Sequence, residues 1–225
     1  MNQAIAAILK SRIETLDFVD KIAGLVATQY MNVTNEAGVK VQKSYPVACC
    51  TTADDCITGA YNDLAPDSKY KSVIYFEDRG VTFERYASNW KYYRSNLRLV
   101  AWLNVKKILG DSCDASACTY SSHAIADIIR HLPRHPENIA PFDTVYSEVI
   151  SQVVRNNSIF SGYTYNELQA QYLLSPYDYF ALEIQTTFAI CLEGTAVYNS
   201  CDTIAVSSPD CVNGLTDDSG DIILS

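Results

Sequence analysis

The sequence predicts an α+β fold: a twisted, mostly antiparallel sheet flanked by helices, with an extended hairpin and a C-terminal arm. Three observations carry this expectation. One amphipathic helix opens the chain, seven later segments are dense in Val, Ile, Thr, Tyr and Phe, and the remaining helical segments stand singly among those strands. A parallel α/β sheet would need a helix after nearly every strand, and the order here is helix, long hairpin, strand hairpin, helix, strand, helix, strand.

Ile5, Ile8, Leu9, Ile13 and Leu16 recur at helical spacing, with Lys10, Arg12 and Glu14 off that stripe, which predicts a helix over residues 3–17. "KIAGLVATQYMNV" and "GVKVQKSYPVAC" then flank "TNEAG", whose Asn35 and Gly38 supply turn chemistry for a long hairpin. Val39 and Val41 are expected on one face and Lys40 and Gln42 on the other, with Pro46 near a strand end or an edge. Residues 51–68 are polar and rich in turn formers, so a loop is expected there, with at most one helical turn.

"KSVIYFE" and "VTFERY" surround "DRG", which reads as a compact hairpin turn ending in Gly80. A longer strand follows in "KYYRSNLRLVAWLN", where Leu97, Leu99, Ala101 and Leu103 alternate with Arg98, Val100 and Trp102. Its second half is apolar on both faces, as in a central strand covered on two sides. "SCDASACTY" reads as a loop. "SSHAIADIIRHL" reads as a helix capped by Ser121 or Ser122 and ended by Pro133 and Pro136. The β-branched residues of "TVYSEVISQVVRN" favour a strand. "YTYNELQAQYLL" reads as a short helix, and "YDYFALEIQTTFAICL" as a last long strand. Residues 1–192 thus form one domain, and 193–225, rich in Ser, Asp and Gly, form an extended arm.

Composition narrows the function. A chain of 225 residues with 48% hydrophobic and 19% charged residues can build a real core. A net charge of −9 argues against gripping nucleic acid through its phosphates, while it suits a surface past which DNA slides. The start lacks a basic flank and a long apolar run, so no secretory leader is expected, and no segment has the roughly 20 apolar residues of a membrane span. The eight cysteines are therefore expected as thiols. Sixteen tyrosines suit contact surfaces between proteins.

No chemistry-bearing motif is evident. Cys49, Cys50 and Cys56 lie close together, and Cys113 and Cys118 flank "DASA", but neither group has the paired short spacing of a structural zinc site. Cys191, Cys201 and Cys211 recur every ten residues without matching a ligand pattern. His131 and His135 would share a helix face below Asp127, yet Pro133 interrupts that helix, and His123 stands apart. Phosphate loops, nucleophile elbows and dinucleotide fingerprints are absent. Lys91, Arg94, Arg98, Lys106 and Lys107 interleave with Tyr92, Tyr93 and Trp102. A strand divides such residues between faces, so ion pairs to a neighbouring subunit are expected rather than a nucleic-acid platform. No catalytic, cofactor or metal residues are assigned, and no enzymatic activity is expected.

The succession of an N-terminal helix, a hairpin ending in "SYPVAC", a meander ending in "LRLVAWLN", a helix, and a closing strand "YDYFALEIQTTFAI" resembles the tail-terminator and neck-ring proteins of tailed bacteriophages. The style is most similar to ring proteins of crAss-like phages. The resemblance covers residues 3–192, with "YPVA" and "VAWLN" at strand ends as its carriers, while residues 51–68, 111–122 and the arm depart from the family pattern. It implies a virion protein, assembled in the bacterial cytoplasm, that forms a six- or twelve-fold homo-oligomeric ring. It further implies neck, portal or tail proteins as neighbours and double-stranded DNA passing the lumen without specific binding. A non-ring adaptor or head-completion module and a metal-dependent hydrolase are the alternatives.

Overall fold

The computed structural model describes residues 1–34, 38–48, 64–87, 90–110, 119–164 and 171–191. Among them the architecture is α+β, with a mostly antiparallel seven-stranded sheet. The first helix, α1 (Asn2–Ile13), buries Ile5, Ala6, Leu9 and Ile13 completely, as its spacing requires. It ends earlier than the stripe suggests. A tight turn, with the Leu16 N–H on the Ile13 carbonyl and the Val19 N–H on the Leu16 carbonyl, swings Phe18 into the core instead.

Strands β1 (Lys21–Thr34) and β2 (Lys40–Ala48) form the expected hairpin, with Pro46 on a strand at the sheet margin where its missing N–H is harmless. The "DRG" turn is not a turn. Residues on both sides belong to one strand, β3 (Ser72–Ala87), which pairs along its length with β4 (Trp90–Asn104). Gly80, at φ +92°, sits where the register shifts between Asp78 and Val81, and its N–H is held by the Asp78 carboxylate at 2.6 Å. The glycine makes a β-bulge rather than a chain reversal.

After β4 come α2 (Val105–Leu109), α3 (Ser121–His131), the short β5 (Glu137–Ile139), β6 (Phe142–Val154) and β7 (Tyr177–Cys191). Two 3₁₀ turns, Asn157–Phe160 and Gln171–Leu173, lie between β6 and β7. The spatial order is β2-β1-β3-β4-β7-β6-β5, antiparallel throughout except for β1 beside β3. The last strand therefore inserts beside β4. Of the helix expected over 163–174, residues 165–170 lie outside the described set, and 171–173 form a 3₁₀ turn. Residues 51–63 of the loop expected at 51–68, residues 112–118 of the loop expected in "SCDASACTY" and the arm at 193–225 lie outside it as well.

The sheet is covered on both faces. On one, Ile74, Phe76, Leu97, Leu99, Phe180 and Leu182 pack against Ile5, Leu9, Ile125 and Ile128 from the helices. On the other, Tyr75, Val100, Trp102 and Ala181 pack against Leu64, Ile159 and Phe160. Val100 through Leu103 are consequently all buried, as the two-sided apolar pattern predicts. The Trp102 indole stacks on Tyr177 at 5.1 Å and donates Nε1–H to the Tyr172 carbonyl at 2.7 Å, tying the second 3₁₀ turn to the sheet.

Neither Ser121 nor Ser122 caps α3. Asp178, fully buried at the start of β7, accepts the backbone N–H groups of Tyr120 and Ser121, each at 2.9 Å, and Arg155 Nε at 2.9 Å. Burial alone would push its carboxyl up. The Arg155 hydrogen bond, the two backbone donors and the Arg155 charge outweigh that and hold it below the ordinary value of 3.8. Among the described residues no helix is long and apolar enough to cross a membrane.

Candidate assembly interface

The feature of the fold that invites a function is a fork. β1 runs beside β3 only from Lys21 to Val26, opposite Val73 to Glu77. Beyond that point both strands continue, β1 with β2 and β3 with β4, but no longer with each other. Because β1 and β3 are parallel, the β1–β2 hairpin parts from the sheet in the direction in which β3 and β4 continue, while β4 stays paired with β7 as far as Trp90 opposite Cys191. Among the described residues, the β3 edge from Asp78 to Ala87 has no second strand beside it. Such an edge presents a row of backbone donors and acceptors.

The first hairpin is anchored at its base. Ser44 Oγ donates to the Gly162 carbonyl at 3.1 Å, and the Ser44 carbonyl accepts the Thr164 N–H at 2.9 Å. Past Ser44 and its partner Tyr30, residues 31–34 and 40–43 project as a two-stranded ribbon. Four residues at about 3.3 Å each carry it roughly 13 Å beyond the anchor. A two-stranded ribbon is marginally stable in water by itself, and this one holds large apolar groups in solvent: Tyr30 is 65% exposed and Val39 57%. Val41 is exposed beside Val39, so the two-faced pattern expected for this hairpin ends in a ribbon wetted on both sides. The second hairpin carries Phe83 and Tyr86, in ring contact with each other and both largely exposed. Phe83 and Tyr86 are functional candidates that sequence patterning did not single out, since alternation alone looks the same in a covered strand and at an open edge.

At the base of the fork lies a cavity of about 390 Å³, lined by Val26, Thr28, Glu77, Arg98, Gly162 and Tyr163 among others. Here the face opposite the helices turns from apolar to charged. Arg98 stands between Glu77 and Glu183 on flanking strands, at 3.7 and 3.3 Å, and the Glu77 carboxylate also accepts Tyr163 Oη–H and an Arg79 N–H, each at 2.9 Å. Gln185 reaches Asn96 at 3.0 Å one step along, and Arg94 pairs with Glu84. The arginines expected to pair with a neighbouring subunit thus find their carboxylates within the chain, because β4 lies between two acid-bearing strands. Lys91 sits over the Tyr86 ring and Lys107 donates to the Lys69 carbonyl, so the basic residues are indeed divided among surfaces.

The histidines do not form a site together. His123 stacks on Tyr120, His131 Nδ1 meets the Asp127 carbonyl inside α3 at 2.8 Å, and Asp127 itself pairs with Arg130. Among the described residues no three His, Cys, Asp or Glu side chains gather as a metal-binding group. Cys49, Cys50, Cys56, Cys113, Cys118, Cys201 and Cys211 lie outside the described residues, and Cys191 ends β7. No protein-family model matches the chain, and no curated protein matches it.

Proposed function

We propose that this chain is a structural virion protein that forms a ring in the head–tail connector of a tailed bacteriophage and lines part of the DNA conduit. One observation carries the reading. The β1–β2 hairpin parts from the sheet beside β3, which stays in the sheet with β4 and β7; Tyr30, Val39, Phe83 and Tyr86 are exposed on the two sides, and among the described residues β3 keeps an open edge between them. A neighbouring copy completes such a fork by adding strand to edge and covering the apolar tips. The contact is heterologous, one patch meeting a different patch, which closes into a cyclic ring when the rotation permits. Residues 21–50 and the arm after residue 192 are the segments proposed to reach adjacent copies or adjacent rings, with six- or twelve-fold closure. The net charge of −9 supports a lumen that repels DNA and lets it pass. The sequence pattern from "SYPVAC" to "VAWLN" supports the same class.

The test is native mass spectrometry with electron microscopy of the chain alone and mixed with portal, neck and tail proteins of the same virion. Rings of defined copy number are expected, at least in the presence of a neighbouring ring as template. A monomer at every concentration and in every mixture ends the proposal.

A further inference from the structure

The open edge of β3 and the outer edge of β6 match each other. Among the described residues, β1 covers β3 only as far as Glu77, and β5 covers β6 only at Phe142 and Val145. Asp78–Ala87 on one margin and Glu148–Val154 on the other are left without a neighbouring strand. The run β3-β4-β7-β6 is antiparallel at every step, so β3 and β6 point in opposite directions. Copies set head to tail about an axis along the strands therefore bring the β6 margin of one to the β3 margin of the next in the antiparallel sense.

One register meets three separate conditions. The first is backbone phase. The Ser147 N–H points outward, to the Pro133 carbonyl at 2.6 Å, so alternation through the bulge at Ile150 turns the backbone groups of Val149, Gln152 and Val154 outward too. On β3, the Asn104 N–H on the Lys71 carbonyl at 2.7 Å fixes an inward pair, and counting along the ladder through its two shifts turns Val81, Phe83 and Tyr86 outward. Setting Phe83 opposite Gln152 places Val81 on Val154 and Tyr86 on Val149, so every outward group faces another.

The second condition is shape. In that register Glu84 and Arg85, at one bulge, lie opposite Ser151 and Ile150, at the other. A slip of two residues would set each bulge against regular strand, and a slip of one would turn the outward groups away from each other. The third is chemistry. Tyr86, largely exposed, comes to Val149, which with Ile129 and Leu132 gives apolar lining to a cavity of about 720 Å³ between the end of α3 and β6. Arg85, which on its own chain lies over the Tyr92 ring, comes diagonal to Glu148, which has no ion pair among the described residues.

We infer that Val81–Ala87 of one copy pairs antiparallel with Glu148–Val154 of the next, with Tyr86 entering the cavity beside β6 and Arg85 meeting Glu148. The inference rests on the assembly proposed above and names the strand that completes the fork. Each copy gives one margin and receives at the other, so the contact is heterologous.

A photoreactive benzoylphenylalanine at position 86 of the full-length chain tests this. Isotope-labelled chain carrying the probe is mixed with unlabelled native chain, at high concentration and in the mixtures used to look for rings, then irradiated and digested for mass spectrometry. Peptides joining labelled residue 86 to unlabelled 129–132 or 147–152 are expected. Oligomers linked elsewhere, including residue 86 to the β3–β4 hairpin of the other copy as a two-fold pairing would give, overturn this inference and leave the ring standing. Absence of any oligomer overturns both. Charge reversal reads the register. Arg85→Glu and Glu148→Arg are each expected to weaken self-association about tenfold, and an equal mixture of the two, where every margin finds an opposite charge, to regain it. Losses that mixing does not relieve, or no loss in either variant, count against the register.

Discussion

Replacing Asp178 by Ala removes the group that joins β7, α3 and the end of β6, and the cost can be built up contact by contact. Its carboxylate holds the N–H groups of Tyr120 and Ser121 at the start of α3, in a place where Ser121 is itself buried. Losing a helix cap costs about 1–2 kcal/mol, and a second buried donor left unmatched costs about 1–2 kcal/mol. The Arg155 side chain is 45% exposed, so the share of its ion pair with Asp178 is about 0–1 kcal/mol. The total, about 3 kcal/mol, corresponds to a fall in melting temperature of about 6–12 °C for a chain of this size. Thermal unfolding by circular dichroism at pH 7 reads it directly. An Asp178→Ala chain that melts within about 2 °C of native would show that the helix is capped by solvent and that the reasoning is wrong.

The same carboxylate sets a pH signature. Its folded value lies below the ordinary 3.8, so its stabilisation is complete above the unfolded value and fades as the pH falls through 3.8 toward the lower folded one. The difference in stability between native and Asp178→Asn chains should hold steady from pH 7 to 5 and shrink below about pH 4. A difference that grows in acid contradicts the assigned ion pair.

Three further outcomes follow from other parts of the fold. Tyr30→Ser, Val39→Ser and Val41→Ser together should leave the melting temperature of the isolated chain within about 2 °C of native while abolishing the ring formation proposed above, as followed by native mass spectrometry. Gly80→Ala meets open space at its new methyl group, so its cost is that of the φ +92° backbone alone, about 1–2 kcal/mol by urea titration, and a neutral result would mean that the bulge relaxes. Trp102→Phe keeps the aromatic packing but takes the donor from the Tyr172 carbonyl; about 1 kcal/mol of stability and faster proteolysis within 171–177 are expected, and unchanged cleavage would detach that turn from the indole.

What could be read from the sequence was local. Alternation of Leu97, Leu99, Ala101 and Leu103 with Val100 and Trp102 identified the central strand and both of its covered faces, because burial of that strand is decided by its own side chains. "DRG" could not be resolved in the same way. Asp-Arg-Gly suits a hairpin turn and a bulge equally, and the difference rests on Val81 finding Ser95 across the ladder. The cap of α3 was hidden for a like reason, since Asp178 acts on residues 57 and 58 positions away. A lone aspartate inside "YDYFALEIQ" was the only trace of it. The fork left no local signal. Tyr30 and Val41 read as strand residues, and their exposure arises only because β1 parts from β3 after Val26.

Open strand edges invite indiscriminate pairing, and proteins that keep them must limit who can bind. This chain does so by shape. Among the described residues β3 and β6 each have an edge without a neighbouring strand; the β3 edge has register shifts at Asp78/Val81 and again at Phe83/Arg85, and the β6 edge has one at Val149/Ser151. Each bulge bends its strand and sharpens the twist, so a flat passing strand can match only a few of the backbone groups on offer. β2, at the opposite margin, carries Pro46 and Lys40 on a sheet edge, both of which discourage pairing there. An edge needed only for solubility could be blunted by charge alone. Two bulged edges flanked by exposed Phe83, Tyr86 and Ile150 instead restrict pairing to a strand with a matching offset and apolar cover. That combination suits dedicated partners, such as the second copy proposed at the fork, better than a surface that is merely kept apart from others.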